Sequence, residues 1–183
     1  MRVLFAMAAL SAVAAAGAAQ AQEPAPSLSS PQIYGTLGYL KKEDSNLDAV
    51  QLRLGARLAP HFGVEGEFAN GVEPHTVNFP SVPPIQIKDQ LRYQFAAYGV
   101  GYLPITPQAE LFARVGYGQT WTKRTFAIPP NLAVVKGDAG SFNYGVGGQY
   151  SFDGKNGVRV DYTREDYKHG TEDTWGVSYV RKF

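Results

Sequence analysis

The sequence predicts an all-β fold: an eight-stranded antiparallel up-and-down transmembrane β-barrel behind a cleaved signal peptide. Three observations predict it. The chain opens with the zones of an export signal. The rest falls into eight segments in which apolar residues alternate with ionic or small ones. The connections between those segments alternate short and long, the pattern of a barrel with tight turns at one end and loops at the other.

Residues 1–21 are expected to be the signal. Arg2 supplies the positive start, Val3 to Ala16 the apolar stretch, and Ala19-Gln20-Ala21 a small-x-small cleavage site. The apolar stretch is shorter than the roughly 20 residues a membrane-crossing helix takes. Residues 22–31, QEPAPSLSSP, read as a flexible leader because Pro and Ser favour turns over strands. Residues 32–183 are then one barrel domain.

A spanning strand takes about 9–11 residues, apolar side chains out and polar or small ones in. The first segment, Ile33 to Leu40, turns Ile33, Leu37 and Tyr39 outward. The second is the clearest. Val50, Leu52, Leu54, Ala56 and Leu58 share one face, and Gln51, Arg53, Gly55 and Arg57 the other. After the short turn Ala59-Pro60-His61, the third sends Phe62, Val64, Gly66 and Phe68 outward, with Gly63, Glu65 and Glu67 inward. The fourth, Leu91 to Leu103, changes phase. Leu91, Tyr93 and Phe95 fit one parity and Tyr98, Val100 and Tyr102 the other, which a bulge near Ala96-Ala97 would reconcile.

The fifth, Glu110 to Trp121, puts Leu111, Ala113, Val115 and Tyr117 outward and Arg114 inward. The sixth, Phe142 to Phe152, puts Tyr144, Val146, Tyr150 and Phe152 outward, with Asn143, Gln149 and Ser151 inward. The seventh, Gly157 to Thr163, puts Val158, Val160 and Tyr162 outward, with Arg159 and Asp161 inward. The eighth runs from Thr174 to Phe183.

Residues 41–49, 71–90, 122–141 and 164–173 are the long connections. Aromatics cluster near both strand ends, where ring and polar tip want different solvents. Tyr39, Phe68, Tyr93, Tyr117, Trp121, Tyr144, Tyr162 and Trp175 form one girdle, and Phe62, Tyr102, Tyr150, Phe152 and Phe183 the other. A soluble sandwich or barrel also alternates. It would have to bury the apolar phase, and the ionic phase would then face water. The export signal and girdles favour the opposite arrangement.

There is no Cys, so thiol chemistry is excluded. The 17 basic residues less Arg2 leave 16 against 16 acidic ones. That balance argues against a nucleic-acid partner.

The segments Leu37-Gly-Tyr39, Gly63-Val-Glu-Gly-Glu-Phe68, Leu111-Phe-Ala-Arg-Val-Gly-Tyr117, Gly157-Val-Arg-Val-Asp-Tyr162 and the closing strand resemble small barrels of the OmpA/OmpX type, in the opacity-like porin family. The resemblance covers residues 32–183. It implies a monomer in the bacterial outer membrane, in contact with its lipid and lipopolysaccharide. It also implies that the strand carrying Trp175, Val177, Tyr179 and the final Phe183 is read by the barrel-insertion machinery. Arg181 departs from the family's apolar outward pattern and is expected to snorkel to the rim. No peptidoglycan-binding domain is expected after the barrel.

Eight strands enclose a space that side chains fill. Pairing the second and third strands around Pro60 sets Arg53 opposite Glu67 and Arg57 diagonal to Glu65. Pairing the sixth and seventh around Gly154 sets Gln149 opposite Asp161 and Ser151 opposite Arg159. The expectation is a lumen network of Arg53, Arg57, Glu65, Glu67, Arg114, Gln149, Arg159 and Asp161, since enclosed charges need partners. The alternative is a narrow channel or a conduit for small hydrophobic molecules, opened by a shift of those ion pairs.

A lipid-modifying enzyme is the third possibility. His61, His75 and His169 lack the adjacent Ser of lipid-A deacylases, and His169-Glu172-Asp173 is a weak metal set. Neither catalytic residue, metal nor cofactor is expected. Two connections are apolar where water-facing loops would be polar. Val77 to Ile87 and Thr125 to Val135 each carry Phe followed by Pro-Pro. They are expected to pack together over the barrel mouth and hide Phe79, Ile85, Phe126, Ile128 and Leu132. A contact surface for a ligand or partner is the alternative. Lys41, Lys42, Lys88, Lys123, Arg124 and Lys168 fall at the same end, where they are expected to meet lipopolysaccharide phosphates.

Overall fold

Alternation over whole segments leaves each strand one apolar face, and closing the sheet puts all such faces on one side. The computed structural model describes residues 31–80, 85–128 and 131–183. Among these residues are nine antiparallel strands: β1 (Gln32–Lys42), β2 (Leu47–Ala59), β3 (Phe62–Glu73), β4 (His75–Phe79), β5 (Ile85–Pro104), β6 (Ala109–Ile128), β7 (Asn131–Ser151), β8 (Asn156–Tyr167) and β9 (Gly170–Lys182). The expected signal and most of the leader lie outside the described residues.

The sheet runs β3-β2-β1-β9-β8-β7-β6-β5-β4 and closes through β3 and β5, from Phe62↔Gly101 to Asn70↔Tyr93. Eight strands therefore make the barrel, and β4 is a short ninth strand paired with β5 alone. The outward faces carry exposed Leu37, Leu54, Phe95, Val115, Val160 and Val177. The inward faces bury the charges, among them Arg53 and Arg159 at 0% exposure. Polar inside and apolar outside is the arrangement a lipid solvent demands.

The fourth segment follows a different phase from the one expected. The register shift lies between Leu91 and Tyr93, not at Ala96-Ala97. Arg92 is therefore the extra residue, and the phase runs unbroken below it. Tyr98, Val100 and Tyr102 point into the lumen and are buried. Tyr102 thus leaves the proposed inner girdle. The turn between β7 and β8 is tighter than expected and shifts their pairing by two residues. Gln149 faces Arg159, Gly147 faces Asp161 and Ser151 faces Gly157. Gly154 takes φ +79°, and Asp153 Oδ1 accepts the amides of Lys155 and Asn156 at 2.9 and 2.6 Å. That Asx turn closes the hairpin earlier than a loop would.

The long connections are mostly strand. β6 and β7 have 20 and 21 residues, about twice a spanning length. Their upper parts, with β4 and the start of β5, rise past the barrel as a four-stranded wall. Val77, Ile85, Ile87, Thr125, Phe126, Val134 and Val135 favour extended backbone there. Ladder pairing continues where only the need to cross lipid has ended.

Candidate functional site

The lumen is filled in layers. In the middle, Arg53 from β2 donates Nε to Glu67 at 2.6 Å and grips Asp161 of β8 with both terminal nitrogens, at 2.8 and 2.9 Å. Arg114 from β6 donates to Asp161 at 2.7 Å, to Glu67 at 3.3 Å, and to Thr163. Arg159 from β8 holds both oxygens of Glu65, at 2.5 and 3.1 Å, and its guanidinium lies 3.7 Å from the Phe112 ring centroid. Three guanidinium ions thus meet three carboxylates, all at 5% exposure or less. Charge is balanced inside the layer, which a buried cluster requires. A Cβ on Gly147 would lie 2.3 Å from Phe112 and 2.8 Å from Asp161 Cβ, so glycine makes room for this stack.

A second layer lies toward the short turns. Tyr34 donates to Glu65 at 2.6 Å and meets the Tyr102 hydroxyl at 2.5 Å. Arg57 reaches Glu110 at 2.8 Å and the Pro60 carbonyl at 2.6 and 3.0 Å, and Gln149 donates to Glu110 at 3.1 Å. The Arg53–Glu67 register is as expected. Arg57 is diagonal to Glu65 in that register, yet its partner is Glu110, because Arg159 already occupies both oxygens of Glu65.

The third layer lies toward the wall. Lys42 donates to Glu165 at 2.5 Å, and Gln94 and Tyr167 donate to the same carboxylate at 3.0 and 2.5 Å. Leu40, Leu47, Ala49, Ala69 and Leu91 close over it. Among the described residues, neither amide atom of fully buried Gln51 has a hydrogen-bond partner, so polar satisfaction is poorest just below that apolar cap. Above the cap a recess of about 230 Å³ opens between Leu47, Leu91, Thr122, Ala139 and Tyr167.

Sequence reasoning missed Tyr34, Tyr98, Tyr102, Glu110, Lys42 and Glu165. Carrying the inward parity of the first and seventh segments two residues further would have found Lys42 and Glu165. The Lys42 assignment to the rim is corrected: it is 2% exposed and turned inward.

On the wall, Val77, Ile87, Phe126 and Ala133 lie side by side across β4, β5, β6 and β7 on the lumen-side face. The two apolar segments do meet, as neighbouring strands. They do not hide their apolar residues: Phe79 is 47% exposed, and Ile85 and Phe126 are half-buried. Among the described residues, nothing is stacked on this single sheet layer. The side chains of Ile128 and Leu132 lie outside the described residues. Arg124 shares that inner face and chelates Asp89 at 2.5 and 2.9 Å, which raises its pKa; it does not point to the lipid. Glu172, near the start of β9, accepts the amides of Asp44 and Ser45 in the β1–β2 turn at 2.9 and 3.1 Å, and its burial raises its pKa.

His61 Nδ1 lies 3.1 Å from the Tyr102 carbonyl at the short-turn end, and His75 Nδ1 lies 3.2 Å from Asn46 at the other. Among the described residues, no group of three or more His, Cys, Asp or Glu is placed to hold a metal.

Residues 5–183 match the family described as outer membrane protein beta-barrel domain. The chain belongs to that family, which places it in the bacterial outer membrane. Solved structures agree on the fold. The attachment invasion locus protein Ail of Yersinia pestis, in complex with the heparin analogue sucrose octasulfate, is 20% identical with a TM-score of 0.59 over 84% of this chain and 99% of its own. The N-terminal β-barrel domain of Pseudomonas aeruginosa OprF is 10% identical, with a TM-score of 0.56 over 83% and 97%. OprG of the same organism is 13% identical, with a TM-score of 0.55 over 84% and 96%. No curated protein matches the sequence.

Proposed function

We propose that the protein acts in envelope integrity and surface contact, as a monomeric barrel with an occluded lumen that catalyses no reaction. The observation that carries this reading is the neutral plug of Arg53, Arg114 and Arg159 against Glu65, Glu67 and Asp161. Each guanidinium has more than one partner or a ring beneath it. A solute path would separate buried charges from one another, which is costly in a small barrel.

The short turns face the periplasm and the wall faces outside, as in barrels of this kind. Ail is known in complex with a sulfated sugar. Lys88 and Lys123 on this wall offer comparable charge to the phosphates of lipopolysaccharide. Trp175, Val177, Tyr179 and Phe183 are outward and exposed along β9, which suits a segment engaged by the insertion machinery.

Planar-bilayer recording is the test. The wild type is expected to pass no steady current. A steady current that changes in Arg53→Ala or Glu67→Ala protein would replace this reading with the narrow conduit. A deletion strain is expected to gain detergent sensitivity. Its lipid A is expected to keep its mass, and a changed mass would make the protein a lipid-modifying enzyme.

A further inference from the structure

Just above the outer aromatic girdle, the wall carries a band of cations on its outward face. Lys123 on β6 stands directly opposite Lys136 on β7, and Lys88 on β5 is diagonal to Lys123. Arg92, the bulge residue, is exposed beneath them with its guanidinium 5.8 Å from the Tyr93 ring centroid. Like charges set directly opposite on a sheet repel each other. Among the described residues, Lys88, Lys123 and Lys136 form no salt bridge. The carboxylate of Asp138 on this face is taken by Gln119 at 3.0 Å. The patch thus sets four cations against one carboxylate that bridges to none of the lysines, a net positive field.

Directly below it, the lipid-facing wall is indented. The outward row Leu54–Gly66–Ala97–Tyr117 has two large residues flanking two that carry a hydrogen or a methyl. Phe68, Phe95 and Gln119 bound the indentation above, and its volume is about 490 Å³. Phe68, Phe95, Tyr93 and Trp121 pack between recess and cations, with neighbouring centroids 4.8 to 6.1 Å apart. Gln119 and Lys123 are four residues apart on β6, about 13 Å. That is the span from a headgroup phosphate to the upper part of an acyl chain.

We propose that this face holds one molecule of lipopolysaccharide by its lipid A. The phosphates lie among Lys88, Lys123, Lys136 and Arg92, and one acyl chain lies in the recess at Gly66 and Ala97. With Asp138 counted against the four cations, a glycerophospholipid with one phosphodiester would leave about two positive charges unmatched, whereas two phosphate monoesters match them. The proposal deepens the surface-contact reading, and conductance tests that reading separately, so the two fail independently.

The experiment is native mass spectrometry of the refolded protein released from detergent micelles, with bis-phosphorylated lipid A or phosphatidylglycerol added. One lipid A per barrel is expected, retained at least about tenfold better than phosphatidylglycerol. Lys123→Glu with Lys136→Glu is expected to cut retention about tenfold. Gly66→Leu is expected to do the same by filling the recess, since a Cβ at Gly66 meets nothing within 4 Å and the barrel has no reason to misfold. Lys155→Glu, on the opposite turn, serves as the unchanged control. Full retention in either the double-lysine or the glycine variant, or equal retention of the two lipids, overturns the proposal.

Discussion

Two arginines in this barrel each grip a carboxylate through two hydrogen bonds, in opposite surroundings. Arg53 holds Asp161 in mid-lumen, both fully enclosed. Arg124 holds Asp89 on the raised wall, with its side chain 57% exposed. The first uses both terminal nitrogens and the second Nε with one terminal nitrogen, so a count of hydrogen bonds would rank them equal. Surroundings separate them: water solvates and screens the second pair, and neither partner of the first has water to fall back on. Lumen pairs are therefore structural necessities once the strands close, and wall pairs are local ornament on a sheet that stands by its ladder.

Arg53→Met tests the first half of that contrast and should have the largest effect. It leaves Asp161 and Glu67 enclosed with Arg114 as their remaining close guanidinium partner. A loss of about 3–5 kcal/mol is expected, read as a lowered midpoint in urea unfolding of the micelle-bound barrel. A loss below about 1 kcal/mol would mean the lumen is wetter than its packing indicates.

Arg124→Met should cost up to about 1 kcal/mol. Its effect should shrink further at high salt, where exposed pairs are screened, while the Arg53→Met effect should hold. Equal salt responses would erase the distinction between the two regions.

The same contrast explains what the sequence disclosed. The barrel's strand count, the inward set Arg53, Glu65, Glu67, Arg114, Arg159 and Asp161, and the outward aromatics other than Tyr102 followed from parity, because one residue of slip would put every charge into lipid. Where lipid stops, that constraint stops. The extensions of β5, β6 and β7 read as loops because their two faces are distinguished only weakly, with Val134 and Val135 adjacent and both exposed. The bulge at Arg92 was misplaced for a related reason. Tyr98 and Tyr102 are amphipathic and suit either a girdle or a lumen with partners in it. Asn143 and Glu65–Tyr34 supply those partners, and they come from strands distant in sequence. Which inward arginine takes which carboxylate was equally hidden, since Arg159 reaches across the barrel from β8 to Glu65 on β3.

The smallest test compares two carboxylates that hold turns at opposite ends of the barrel. Asp153 accepts the Asn156 amide, the Asn156 side chain and the Lys155 amide, and these hold its carboxyl down at about 2 against an ordinary 3.8. A depressed acid contributes its stabilisation fully above the ordinary value and loses it as pH falls through the folded one. The β7–β8 turn should therefore stay capped until pH approaches about 2. Glu172 is shifted the other way, above its ordinary 4.5, because burial disfavours its charge more than the amides of Ser45 and Asp44 favour it. Its protonated form is the stabilised one, so its contribution is present at low pH and fades as pH rises through the folded value. Carboxyl carbon shifts followed by NMR through an acid titration should give Asp153 the lower midpoint and Glu172 the higher. The reverse order would show that hydrogen bonds, not burial, govern the wall end as they govern the turn end.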